Sequence, residues 1–226
     1  MPPAGIFAPS GSRDVTADEI AALFTRGSGE YLFARWERPV VPVVFGVSDA
    51  TLAVVKGALE AVVTLAGHRM AETDPEQGAN LMIFFFRDWS ELLEVPDLGR
   101  LVEGLEFLVA RLRKDGATQY RHFRFEEDGA IRACIAFVRV DAATADLPAE
   151  TVALGLAVQV ILLWSDRAFH DRSPLGRVGE GVILRPEIAG VIRAAYDPAL
   201  PAVAREASHA LRIAARAVPG AEPGRI

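Results

Sequence analysis

The spacing of hydrophobic residues divides the chain into helices and strands. Thr16 followed by Glu19 forms a capping box in front of an apolar run, which predicts a short first helix. Ser48, a typical N-cap residue, precedes apolar side chains that recur every three or four positions, the spacing of a long helix with one buried face. Those side chains are Leu52, Val55, Leu59, Val62 and Val63. A leucine stripe of the same spacing predicts another helix over 98–113.

Two apolar runs in the first half of the chain predict strands. The valine-rich run 39–47 contains Pro42, which lacks a backbone N–H and therefore favours an edge position or a bulge. The run 80–87 is continuously apolar but too short for a helix of usual length. It therefore predicts a strand that is covered on both faces.

A hairpin is predicted in the middle of the chain. The runs 119–127 and 130–140 flank Asp128-Gly129, a dipeptide that suits the positive φ angles of a tight turn. We expect the two runs to pair antiparallel. The second run is apolar enough to lie in the centre of the sheet.

The last third of the chain predicts mainly helices. The segment 148–164 has Gln159 as almost its only polar interior residue, so this helix is predicted to be buried nearly all round. A polar, glycine-containing connection follows over 165–181. Further helices are predicted over 186–196 and 200–217.

Together these elements predict one α+β domain over 15–218. We expect a mixed or mostly antiparallel sheet packed against helices, with a helical C-terminal part and no internal repeat. Residues 1–14 and 219–226 are rich in Pro, Gly or Ser and are predicted to be a flexible arm and tail.

Composition narrows the class of protein. The chain has 226 residues, of which 51% are hydrophobic, and a formal net charge of -6, which is typical of a soluble globular protein. The acidic balance argues against a nucleic-acid binder, and the longest strongly apolar run, 152–164, is too short to span a membrane. Cys134 is the only cysteine, so there is no internal disulfide. The scarcity of lysine favours a GC-rich bacterial source.

One basic segment raises the question of nucleic acid again. Residues 120–125 interleave aromatic and basic side chains, and such a strand can stack single-stranded bases. The alternative is a sheet strand whose aromatic residues face the core while its arginines reach water. Acidic residues 126–128 cancel the charge, so we favour the second interpretation and expect no nucleic-acid partner.

No complete catalytic or metal-binding motif is present. The zinc-hydrolase pattern H-E-x-x-H does not occur, and of the histidines only His170, four residues after Asp166, has a ligand-like spacing. A solvated surface pair is the favoured interpretation. Ser48 lacks the second glycine of a nucleophile elbow, and Cys134 lies in the middle of an apolar strand, where a thiol is inert. We therefore expect no metal and no cofactor.

The segment around the buried helix resembles a family of uncharacterised, usually exported proteobacterial proteins whose helix is related to that of zincin-like metallopeptidases. That family carries an H-E-E-x-x-Q-x-L-G-L-x-N-D stretch. Gln159 falls on its glutamine and Asp166 on its closing aspartate, with Leu163 and Ser165 on the Leu and Asn positions. The resemblance covers residues 30–215 and implies a zincin-like fold.

The chain departs from this pattern at the catalytic positions. Leu154, Gly155 and Leu156 stand where the family has His-Glu-Glu. Without the His and Glu, such a helix can neither hold zinc nor activate water. Gly155 costs stability inside a helix, and we expect it to permit the close approach of a neighbouring element.

Two functions remain open. The first is a non-catalytic binding or envelope-associated protein with a degenerate metallopeptidase-like fold and a protein or small-molecule partner. The second is a hydrolase whose site has moved to the loop 165–181. The candidate residues there are Asp166, His170, Asp171 and Glu180. The absence of a complete catalytic set favours the first. No signal peptide is recognisable at residues 1–5, so we expect an exported or periplasmic protein only if such a segment was removed, and otherwise a cytoplasmic one.

Overall fold

The computed structural model describes residues 15–141, 147–179 and 181–217. The predicted arm over 1–14, the predicted tail over 219–226 and the candidate residue Glu180 lie outside these ranges. The described residues form one α+β unit, which confirms the predicted fold class.

The helices and strands are numbered in chain order. The helices are α1 (Ala17–Phe24), α2 (Asp49–Leu65), a 3-10 helix (Trp89–Glu94), α3 (Leu98–Leu101), α4 (Leu105–Lys114), α5 (Ala149–Ile161), α6 (Pro186–Ala195) and α7 (Ser208–Ala214). The strands are β1 (Phe33–Ala34), β2 (Pro42–Phe45), β3 (Leu81–Phe86), β4 (Gln119–Phe125), β5 (Ile131–Arg139), β6 (Leu175–Val178), β7 (Gly181–Leu184) and β8 (Val203–Ala204).

The main sheet is mixed and has the strand order β2-β3-β5-β4. Strands β2, β3 and β5 run parallel, and β4 pairs antiparallel with β5 through the predicted hairpin. The proline-containing strand β2 lies at an edge and β5 lies inside the sheet, as predicted. Two small antiparallel pairs, β1 with β8 and β6 with β7, lie outside the main sheet.

Both faces of the sheet are buried, because alternate residues of β3 point to two separate cores. Leu81, Ile83 and Phe85 belong to the larger core, which α2 and α5 cover. Phe86 belongs to the smaller core, where it meets Trp89 and the leucines of α4. The prediction that 80–87 is a strand covered on both faces is therefore confirmed.

The helix predicted over 98–113 is broken. Its leucine spacing is helical, but Gly104 adopts a φ of 67°, in the left-handed region, and divides the segment into α3 and α4. The break brings Leu98 and Leu105 into the same core as Trp89. A straight helix was therefore the wrong prediction for this segment.

Two predictions in the last third are also corrected. The helix predicted over 200–217 is limited to Ser208–Ala214, because Val203–Ala204 instead pairs with β1. The connection predicted over 165–181 contains β6, which forms a hairpin with β7. Both corrections involve short strands that are specified by their partners rather than by their own sequence.

Helix α5 ends at Ile161, three residues before the predicted end at Trp164. The last four carbonyls of a helix have no partner within it. Here each of them accepts a hydrogen bond from a side chain that lies outside the helix. The pairs are Val158 with Trp164 at 2.7 Å, Gln159 with Arg121 at 3.1 Å, Val160 with Trp36 at 2.9 Å and Ile161 with Tyr196 at 2.8 Å. This buried helix end is therefore satisfied by contacts from four separate parts of the chain.

Candidate functional site

The carboxyl ends of β2, β3 and β5 meet at one edge of the sheet because the three strands are parallel. Strand β2 leads into α2, which packs on the larger core, whereas β3 leads to the 3-10 helix and α4 on the opposite face. Open parallel sheets bind their ligands at such a point, where neighbouring connections diverge to opposite faces.

A cleft of about 920 Å³ lies at this edge, and we call it the carboxyl-edge cleft. Its apolar lining includes Val55 of α2, Phe85 of β3 and Val152 of α5. Its polar lining consists of Ser48, Thr51, Arg87, Glu91 and Asp141. An apolar wall with a few convergent polar groups is the usual composition of a small-molecule site.

Gly46 shapes one wall of the carboxyl-edge cleft. Its φ is 80°, and a Cβ placed there would lie 2.2 Å from the carbonyl oxygen of Phe85. Only glycine can therefore occupy this turn between β2 and α2. The close passage of the two backbones sets the position of Ser48 two residues later.

The hydroxyl and carboxylate groups of the cleft already have partners. The Ser48 Oγ accepts the backbone N–H of Thr51 at 3.3 Å, which confirms the predicted N-cap. A Glu91 carboxylate oxygen accepts the N–H groups of Arg87 at 3.0 Å and Asp88 at 2.8 Å. The Asp141 carboxylate pairs with Arg139 at 2.8 Å.

The Arg87 guanidinium differs from these groups. The side chain is exposed and, within the described ranges, forms no ion pair. Helices α2 and α5 also begin at this cleft, and helix N-termini carry a partial positive charge. Among the described residues, the cleft therefore places a cation that has no ion-pair partner beside an apolar wall.

The candidate residues of the loop 165–181 do not form one group. A carboxylate oxygen of Asp166 accepts the N–H of Gly27 at 2.9 Å, and Asp166 lines a groove beside β4. His170 and Asp171 are exposed and line a different cavity, of about 910 Å³, against α1. Phe169, between these sites, has a φ of 67°, a strained conformation for a residue with a side chain.

Three helix positions of the family resemblance, Leu154, Gly155 and Gln159, are half-buried in α5. A Cβ added to Gly155 would lie 3.8 Å from Cδ1 of Leu175, an ordinary van der Waals contact. The expectation that Gly155 permits a close approach is therefore wrong. Leu154 packs against the larger core. The backbone carbonyl of Gln159 accepts the hydrogen bond from the Arg121 side chain.

Other candidate groups can be placed as well. In the described part of the chain, no three His, Cys, Asp or Glu side chains are grouped so that they could hold a metal ion. Burial raises the pKa of the Cys134 thiol to about 12, in line with its position in the middle of a strand. No helix within the described ranges is long and apolar enough to cross a bilayer.

Sequence reasoning missed that Ser48, Arg87 and Asp141 line one cleft. Each of the three follows one of the parallel strands closely. That position is the signal that was available, but it has meaning only once the strands are known to be parallel neighbours. No protein-family model, curated protein or solved structure matches this chain, so the zincin-like resemblance stays a prediction.

Proposed function

We propose that this protein is a non-catalytic binding protein whose ligand occupies the carboxyl-edge cleft. The observation that carries the proposal is the convergence of three parallel strand ends and two helix N-termini on a cleft of about 920 Å³. The ligand class that fits is a small molecule with an apolar body and an anionic end. The body packs against Val55, Phe85 and Val152, and the anionic end pairs with Arg87.

The hydrogen bonds of the cleft support binding rather than catalysis. A nucleophilic hydroxyl needs an adjacent base. The Ser48 Oγ instead lies 3.2 Å from the hydroxyl oxygen of Thr51. Among the described residues, no His or carboxylate side chain bonds to the Ser48 hydroxyl. Glu91 is occupied as the third helical residue of the capping box that begins the 3-10 helix at Asp88. These groups hold the rim of the cleft in place.

A thermal-shift screen with small aliphatic and aromatic carboxylates, each beside its neutral amide, tests the proposal. Ala149 lies exposed on the rim, and Ala149→Trp fills the cleft without removing a contact. Ala53, exposed on α2 and outside the lining, provides the matched control Ala53→Trp. We expect a carboxylate to raise the Tm of the wild type and of A53W but not of A149W.

Two results would contradict this assignment. A compound that stabilises all three proteins equally binds elsewhere. A compound whose effect survives in A149W but disappears when His170 and Asp171 are both replaced by Ala binds at the loop 165–181 instead. The second result would revive the hydrolase alternative, because those side chains line their own cavity.

A further inference from the structure

Strand β4 presents a free backbone edge. The N–H of Arg139 donates to the carbonyl of Thr118 at 2.8 Å, so this pair is in the hydrogen-bonded register. Hydrogen-bonded pairs recur at every second residue of an antiparallel ladder. Tyr120 and His122 therefore bond to β5, whereas the backbone groups of the alternate residues point away from the sheet. Those outward residues are Gln119, Arg121 and Phe123.

The two edges of the sheet differ in protection. At the β2 edge, Pro42 has no N–H to offer, and Val40 just before β2 bridges to Met70. Within the described ranges, the outward N–H and C=O groups of β4 have no backbone partner. Exposed edges are usually blocked, because they pair readily with another chain. The β4 edge therefore can accept one more strand.

The groove along this edge is cationic. It has a volume of about 670 Å³ and is lined by Arg26, Arg111 and Arg121, none of which forms an ion pair in the described part of the chain. Asp166, the carboxylate in its lining, is bonded to the N–H of Gly27. This local positive charge stands out in a chain whose net charge is -6. It is complementary to an acidic partner.

The Arg121 side chain, on one of the β4 residues whose backbone groups point outward, also favours an acidic partner. The Arg121 guanidinium donates one hydrogen bond to the carbonyl of Gln159 and is otherwise desolvated, which lowers its pKa. Arg121 also lines the groove, and a carboxylate of an incoming chain supplies the counter-charge that this guanidinium lacks among the described residues.

We propose that the free edge of β4 binds an extended acidic peptide as an additional strand. Single-stranded nucleic acid fits less well, because its bases need free aromatic faces on which to stack. The Tyr120 ring already stacks on Phe137 and lies under Arg111. Pairing of β4 with a second copy of itself about a two-fold axis at Arg121 would place the two Arg121 side chains opposite each other. Like charges directly opposite each other destabilise a strand pair.

Binding of a fluorescent peptide of alternating glutamate and valine tests this proposal, with a lysine–valine peptide as the charge control. The double variant Arg26→Glu, Arg111→Glu reverses the charge of the groove. Arg193→Glu makes the same change at an exposed position of α6, away from the groove. We expect the double variant to weaken binding of the glutamate peptide by at least about tenfold and R193E to leave it unchanged.

Amide hydrogen exchange separates strand addition from simple charge attraction. In the free protein, the amides of Gln119, Arg121 and Phe123 should exchange fast and those of Tyr120 and His122 slowly. The peptide should protect the three outward amides. Binding without this protection, or binding of oligothymidylate that the same double variant abolishes, would overturn the proposal. Concentration-dependent dimerisation that protects these amides without peptide would overturn it as well.

Discussion

We expect the buried side chain of His209 to make the stability of this protein depend on pH. The side chain lies on α7, where Nδ1 is 3.1 Å from the hydroxyl of Tyr31 and the ring packs against Phe33. Burial, and then the charge of Arg212, lower the pKa of His209 to about 4. The unfolded chain takes up this proton near pH 6.5, so the folded state loses stability as pH falls from 6.5 towards 4.

Replacing His209 by Gln should flatten this part of the pH profile. The depressed pKa of His209 contributes at most ~3 kcal/mol to the fall in unfolding free energy between pH 7 and 4. Urea denaturation of wild type and H209Q at several pH values measures the difference. His170→Gln is the control, because His170 is exposed. An H209Q profile as steep as that of the wild type would show that another group carries the dependence.

Two helix-interior glycines should respond in opposite ways to alanine. At Gly155 an added Cβ makes an ordinary contact with Leu175, so G155A should raise the free energy of unfolding by about 0.5–1 kcal/mol through helix propensity. At Gly190 of α6 the Cβ would lie 2.7 Å from the backbone oxygen of Ala217. G190A should therefore destabilise. Thermal melts of both variants test the pair, and equal shifts would contradict it.

At the scale of the element, α5 depends on side-chain donors from distant parts of the chain. Tyr196→Phe removes one hydroxyl without changing the packing of the ring, and leaves the buried carbonyl of Ile161 without its partner. We expect a loss of about 1–3 kcal/mol, the cost of an unsatisfied buried acceptor. Chemical denaturation measures the loss.

The matched control is Tyr120→Phe, since the Tyr120 hydroxyl has no hydrogen bond within the described ranges. It should change stability by less than about 0.5 kcal/mol. If Y196F is as mild as Y120F, the end of α5 is satisfied in another way, for instance by water.

The elements that were predicted well are those whose signal is local. The Ser48 cap and the following apolar stripe define α2, and Asp128-Gly129 defines the turn between β4 and β5. The break at Gly104 was missed because the leucine spacing continues through it. Strands β6 and β8 were missed because two to four residues carry too weak a pattern to be recognised without their partners.

At the scale of the whole molecule, a buried polar cluster joins the amino ends of β2 and β3. The Asn80 amide accepts the N–H of Val41 at 2.8 Å and donates to the carboxylate of Asp74 at 3.1 Å. Burial alone would raise the pKa of Asp74, but the N–H groups of Glu76 and Gln77 and the Arg38 guanidinium lower it overall. The carboxylate therefore stays ionised at neutral pH and orients the Asn80 amide, which ties the residues before β2 to those before β3.

The two proposed binding surfaces differ in how much of each the sequence predicted. Residues 120–125 were recognised as an aromatic and basic strand, but only the sheet order shows that this strand is an edge with unpaired backbone groups. The polar residues of the carboxyl-edge cleft follow three strands that are far apart along the chain. The loop 165–181, which looked most functional in the sequence, divides its candidate side chains between two cavities.

The sequence by itself determined the four strands of the main sheet, the main helices and the burial of β3 on both faces, because hydrophobic periodicity, caps and turn dipeptides act over a few residues. The tertiary structure alone decided that β3 and β5 are parallel neighbours, and with that where the cleft and the free edge lie. It also decided which side chains bond to the last carbonyls of α5, namely those of Trp36, Arg121, Trp164 and Tyr196. These features depend on which distant segments become neighbours when the two cores form. No local pattern of residues encodes that choice, because it is made by the packing of the whole chain.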